Sequence, residues 1–83
     1  MNKVLVKIFF TRIDECYETW IPLNEKIEVI INSFIKGINE LKYGIYNQKN
    51  ISILYNRSTG EYYNINSKVK DTNIQNGTEL ILI

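Results

Sequence analysis

Few side chains in this sequence are equipped for covalent chemistry. The chain has one cysteine, Cys16, and no histidine in 83 residues. A reactive thiol needs a neighbour that favours the thiolate, such as an imidazolium or a helix N-terminus. Cys16 instead lies near Glu15 and Glu18, whose negative charge opposes ionisation. It reads as an ordinary small residue of a strand. The same counts leave no internal disulfide, no Cys/His zinc site and no His-assisted nucleophile. Asp14, Glu15 and Glu18 bring three carboxylates close together in sequence. Acid–base work requires surroundings that push two ionisations apart, whereas these residues sit on or beside a polar turn where acids are solvated. No catalytic residue, cofactor site or metal site is expected, and the chain reads as non-enzymatic.

A second constellation mixes cations and aromatics: Lys49, Arg57, Lys68 and Lys70 with Tyr46, Tyr55, Tyr62 and Tyr63. Such mixtures bind single strands of nucleic acid by stacking and phosphate contact. Glu61 and Asp71 interrupt this one, and the formal net charge is only +1. No nucleic-acid partner is expected, because that function carries a clear basic excess. Ser58-Thr59-Gly60 and Asn76-Gly77 are too short for a phosphate loop and read as turns. The remaining candidates are apolar residues that alternation places on a solvent face. Leu5, Phe9, Leu54, Ile81 and Ile83 are expected on the side of a sheet facing away from its covering helix. Contiguous exposed apolar area marks a partner surface. Trp20 is a further candidate, since exposed tryptophans are frequent hot spots of protein interfaces.

The elements that must position these residues follow from periodicity. Val4 to Phe10 is β-branched and aromatic and predicts a strand, with Val4, Val6, Ile8 and Phe10 on one face and Leu5, Lys7 and Phe9 on the other. Arg12 to Glu15 reads as a turn. Cys16 to Ile21 predicts a second strand, antiparallel to the first, with Tyr17, Thr19 and Ile21 facing one way and Cys16, Glu18 and Trp20 the other. Pro22 ends it, and Asn24 is expected to cap a helix. Ile27, Ile30, Ile31, Phe34, Ile35, Ile38 and Leu41 form a helical stripe. Lys42 and Gly44 are placed to end that helix, Gly44 as the residue of positive φ. Tyr46 to Asn50 reads as a polar connection. Ile51 to Tyr55 predicts a third strand, Glu61 to Tyr63 a short one, and Asn64 to Asp71 irregular chain. Thr78 to Ile83 predicts the last strand, with Leu80 and Leu82 on one face and Ile81 and Ile83 on the other. The first and last strands are the most apolar and are expected side by side at the centre. The result is one α+β domain over residues 1–83, a β-grasp in which a mixed sheet of 4–5 strands packs on one amphipathic helix.

Composition agrees with a small folded domain. Hydrophobic residues make up 45% and charged residues 23%, well away from the balance of a disordered chain. A chain of this size buries about 60–65% of its unfolded surface, so the core must be thin. Residues 4–10, interrupted by Lys7, are too short for a membrane span and lack a signal-peptide cleavage site. The cytoplasm is the expected compartment, with no membrane insertion.

Residues 71–83, Asp-Thr-Asn-Ile-Gln-Asn-Gly-Thr-Glu-Leu-Ile-Leu-Ile, resemble the closing segment of ubiquitin in the Asn-Ile-Gln tripeptide and the alternating Leu-x-Leu strand. Lys42-Tyr43-Gly44-Ile45 resembles ubiquitin's helix exit, and Val4-Leu5-Val6-Lys7 its first strand. More specifically, the whole chain resembles the small YukD/EsaB-like ubiquitin-like proteins of Gram-positive type VII (WXG100) secretion systems. It shares their length, a Lys3-Val4-x-Val6 start and the ending Ile74-Gln75-Asn76-Gly77-Thr78-Glu79-Leu80. Thr78 stands where that family has an acidic residue.

The resemblance implies an adaptor or accessory protein of secretion, with a membrane or ATPase component of the apparatus as partner. It also implies that the outward sheet face corresponds to the apolar patch used by ubiquitin's receptors. The alternative within the superfamily is a conjugated modifier or a sulfur carrier. Both need a flexible Gly-Gly tail that can enter an activating enzyme, and the sequence contains no Gly-Gly. Conjugation and sulfur transfer are therefore not expected.

Overall fold

A computed structural model describes residues 2–41 and 52–83. Strand β1 (Lys3–Phe10) and strand β2 (Glu15–Pro22) form an antiparallel pair in which Leu5 faces Trp20, Lys7 faces Glu18 and Phe9 faces Cys16. Their connection is a single 3-10 turn, Thr11–Ile13, closed by Asp14 in the left-handed region at φ 54°. Asp tolerates that conformation better than most residues. Helix α1 (Ile27–Leu41) follows, then the short strands β3 (Leu54–Asn56) and β4 (Glu79–Leu82). The four strands are ordered β2-β1-β4-β3, with β1 and β4 parallel at the centre and the other pairs antiparallel. The expected central pairing of first and last strands is therefore observed.

Alternation along β1 and β2 is obeyed. Val6, Ile8 and Phe10 are buried, as is Ile21. They meet Ile27, Ile30, Ile31, Ile35 and Ile38 from α1 and Leu80 and Leu82 from β4 in one core. Isoleucine is a mediocre helix former, so α1 owes its stability to this burial, about 1.5–3 kcal/mol for each fully buried aliphatic side chain. Phe34 contributes edge-to-face contacts to Phe10 and Tyr17, with centroids 5.9 and 5.8 Å away.

Three sequence expectations need correction here. The helix starts at Ile27, so Asn24 is not its cap. Its first amides are satisfied instead by the 64–68 loop, the Ile27 N–H donating to the Ser67 carbonyl and the Glu28 N–H to the Ile65 carbonyl. The buried stripe stops at Ile38, because the last turn carries Leu41 beyond the core, where it is 66% exposed. Residues 61–63 contribute a single bridge, Tyr62 to Tyr55, in place of a strand.

Residues 64–71, expected as irregular chain, are tied beneath the start of α1. The Val69 N–H donates to the Glu25 carbonyl and the Lys70 N–H to the Leu23 carbonyl. A 3-10 turn, Val69–Asp71, thereby drives Val69 wholly into the core. The segment lies on the helix side, and among the described residues no loop crosses the opposite face of the sheet. The Asn76-Gly77 turn is as expected: Gly77 has φ 89°, the Leu5 N–H donates to Asn76 Oδ1 at 2.8 Å, and the Gly77 N–H donates to the Leu5 carbonyl. The expected helix exit at Lys42 and Gly44, and the connection 46–50, lie outside the described residues.

Candidate protein-docking site

The open face of the sheet is built from every second residue of four strands, and register arranges those residues in rows. One row runs Cys16, Phe9, Ile81 and Tyr55 across β2, β1, β4 and β3. Tyr62 extends it, its ring edge-to-face on Tyr55 at 6.1 Å. Next to this row, two backbone hydrogen bonds join Ile53 and Ile83, and both side chains are exposed. The result is an apolar band at one end of the sheet.

The neighbouring row is Glu18, Lys7 and Glu79, with Arg57 paired to Glu79 at 3.3 Å. These charges alternate in sign, so the row is electrically balanced and bounds the apolar band with polar groups. Exposed pairs of this kind contribute little to stability. A further row places Trp20 beside Leu5, next to the Asn76-Gly77 turn.

The six residues expected at a partner surface are therefore divided. Phe9, Ile81 and Ile83 come together in the band. Leu5 and Trp20 share the outward face but stand across the charged row. Leu54 does not belong to the site. It pairs with Leu82, faces the helix and is 2% exposed. The alternation of β3 is the reverse of that expected: Leu54 and Asn56 point in, Ile53 and Tyr55 out.

The inward Asn56 explains the reversal. Its Oδ1 accepts the N–H groups of Ser58 and Thr59, and its Nδ2 donates to the Tyr63 hydroxyl. That hydroxyl donates in turn to Asn73 Oδ1 at 2.6 Å. A buried polar group is tolerated when it is fully hydrogen-bonded, and this one organises the turn after β3. Burial raises the Tyr63 pKa, the hydrogen bond from Asn56 opposes that effect, and the Glu61 charge adds to it. Tyr55, Tyr62 and Ile53 are the members of the face that sequence reasoning left unassigned to it. The pairing of Tyr55 with Ile81 was the missing signal.

The other constellations do not assemble. Tyr63 turns into the Asn56 network, Arg57 is paired with Glu79, and Lys68 and Lys70 flank Val69 beneath the helix. Lys49 and Tyr46 lie outside the described residues. The Glu15 carboxylate accepts the Tyr17 hydroxyl at 3.1 Å, while Glu18 faces Lys7. Among the described residues, no group of three or more Asp, Glu, His or Cys side chains could hold a metal ion. Cys16 is exposed. No helix among them is long and apolar enough to cross a membrane.

Among solved structures, the ubiquitin-like domain of the Mycobacterium tuberculosis type VII secretion protein EccD1 aligns over 100% of this chain and 99% of its own, with a TM-score of 0.71 and 15% identity. The fold is ubiquitin-like. A chain of the MycP5-free ESX-5 inner membrane complex aligns over all of this chain at a TM-score of 0.76 and 11% identity. Only 21% of that longer chain is covered. The ubiquitin-like domain of the Arabidopsis thaliana protein At2g32350 also aligns over 100% of this chain and 78% of its own, at 0.67 and 13%. Identities this low speak for the fold alone. No protein-family model and no curated protein matches the sequence.

Proposed function

We propose that this ubiquitin-like domain is a non-enzymatic adaptor whose outward sheet face docks a protein, and that the partner is a membrane or ATPase component of a type VII secretion apparatus. The apolar band of Phe9, Ile81, Tyr55, Tyr62, Ile53 and Ile83, bounded by a balanced charged row, carries the docking part of the reading. An apolar centre with a polar margin is the anatomy of a protein interface. The resemblance of the sequence to YukD/EsaB-like proteins, and the likeness of the fold to domains described from type VII secretion systems, support the secretion part. The reading places the protein in the cytoplasm.

The experiment is a pull-down of tagged protein from its native cells, divided between native and denaturing conditions and read by mass spectrometry. Secretion subunits recovered only under native conditions, and lost with Ile81→Asp while its circular dichroism stays wild type, are the expected result. Undiminished capture by Ile81→Asp would remove the band from the site. Adducts that survive denaturation would make the protein a conjugated modifier instead.

A further inference from the structure

The charged row of the outward face is complementary to itself. It runs Glu18, Lys7 and Glu79 across β2, β1 and β4, and ends on Arg57, whose N–H donates to the Glu79 carbonyl just past β3. The signs are minus, plus, minus, plus. Reversed end for end, the row presents plus, minus, plus, minus. A second copy presents it in that reversed order when turned about a two-fold axis that runs along the strands, between β1 and β4. Glu18 then faces Arg57 of the second copy and Lys7 faces its Glu79, each pair occurring twice. The same rotation sets Phe9 against Ile81 and Cys16 against Tyr55 in the apolar row. Leu5 meets the Gly77 turn, where no side chain stands in the way. Sheets stack face to face about 10 Å apart and within about 30° of alignment, a gap that a lysine and a glutamate span together.

Other two-fold axes in the plane of the face do not satisfy the row. An axis along the charged row brings Glu18 onto Glu18 and Lys7 onto Lys7, and like charges directly opposite are destabilising. An axis along the apolar row lays Glu79 on Ile83 and Arg57 on Ile53, which desolvates charge without a partner across the interface. We propose that two copies of this chain associate reversibly through their outward sheet faces, about the two-fold axis parallel to the strands. Such an isologous contact needs a patch that matches itself. The charges set its orientation, and the apolar rows on either side supply its area. Four strands about 4.8 Å apart, over the length from Gly77 to Ile83, cover roughly 400 Å². That is about half of what each partner gives to a stable interface, so the dimer is transient, with a Kd on the order of 100 μM. The dimer rests on the geometry of the face alone. Its consequence, that a docked partner and a second copy exclude one another, rests on the docking function proposed above.

The test is sedimentation velocity on the full chain from about 20 μM to about 1 mM, with nitrogen-15 NMR over the same range. A rise toward the dimer mass is expected, with concentration-dependent shifts at Lys7, Phe9, Tyr55 and Ile81. Lys7→Glu and Glu79→Lys each set like charges against one another in a homodimer, and each should weaken association about ten-fold or more. Mixed one to one, the two variants meet opposite charges at all four contacts and should regain the wild-type affinity. Lys7 is exposed and the Glu79 side chain is 44% exposed, so both variants should keep the wild-type circular dichroism. A reducing agent should change nothing, because Cys16 faces Tyr55 of the second copy and lies too far from the other Cys16 for a disulfide. A chain still monomeric at about 1 mM, charge variants that associate as wild type, a mixture that stays monomeric, or association lost on reduction would each overturn the dimer. The two readings fail separately. A dimer whose pull-down recovers no secretion subunit removes the docking function alone, and Ile81-dependent capture by a chain that never dimerises removes the dimer alone.

Discussion

Asn56, Tyr63 and Asn73 form a short chain of hydrogen bonds that a one-dimensional reading cannot see, because it links residues 7 and 10 positions apart. Removing the central hydroxyl by Tyr63→Phe deletes two bonds and leaves the buried Asn56 Nδ2 without its acceptor. A net loss of about 1–3 kcal/mol at neutral pH is expected, readable as a lower urea midpoint. The pH dependence has a definite sign. Burial raises the Tyr63 pKa in the folded state above the ordinary value near 10.0. The folded state therefore holds this proton more tightly than the unfolded state does. Its stabilising contribution is complete below the unfolded pKa and is lost as pH rises through the folded one. The gap in midpoint between wild type and Tyr63→Phe should accordingly narrow above pH ~10. A gap that widens there would show that the hydroxyl does not titrate as its burial requires.

At the scale of elements, legibility followed the strength of the alternating pattern. Strands β1 and β2 and the stripe of α1 were readable because each repeats its period over eight residues or more. The strand β3 covers three residues, Leu54–Asn56. Leu54 shares its face with the polar Ser52 and Asn56 at two-residue spacing, so the pattern of so short a strand does not tell the inner side from the outer. A single-residue slip of this kind inverts every side chain. The inward polar position exists only because the turn after β3 supplies Asn56 with partners. That same slip put Leu54 in the candidate site and left out Tyr55 and Ile53. Val69 was missed for a related reason, since its burial depends on backbone bonds to Leu23 and Glu25, far away in sequence.

The helix carries an avoidable weakness at Gly37. Glycine in a helix interior costs roughly 0.5–1 kcal/mol relative to alanine. Gly37→Ala meets no neighbouring atom within 4 Å, so it should raise the midpoint of thermal unfolding by a few degrees. Calorimetry showing a fall would mean that the space beside Gly37 is tighter than the geometry gives.

Across the whole molecule, one sheet must serve a core on one side and a partner on the other. The division between the two is sharpest at the pair of strands β3 and β4. Leu54 and Leu82 are buried against the core, while Tyr55 and Ile81, one residue along, are half-buried on the opposite face. The same aspartate placed on either side therefore has opposite consequences. Leu54→Asp removes a buried side chain, a loss of about 2–5 kcal/mol, and adds the several kcal/mol of an unpaired buried carboxylate. A domain of this length has a total stability of only about 4–12 kcal/mol. Leu54→Asp should therefore abolish cooperative unfolding and disperse the amide spectrum no further than a denatured chain. Ile81→Asp, on the half-open side, should lose about 1 kcal/mol and keep its circular dichroism, while losing any partner that docks on the band. Urea titrations of the two variants, run in parallel, test the orientation of the whole sheet. A folded Leu54→Asp with an unfolded Ile81→Asp would mean that β3 and β4 present their faces the other way round, and the band, its charged border and the docking surface built on them would all be lost together.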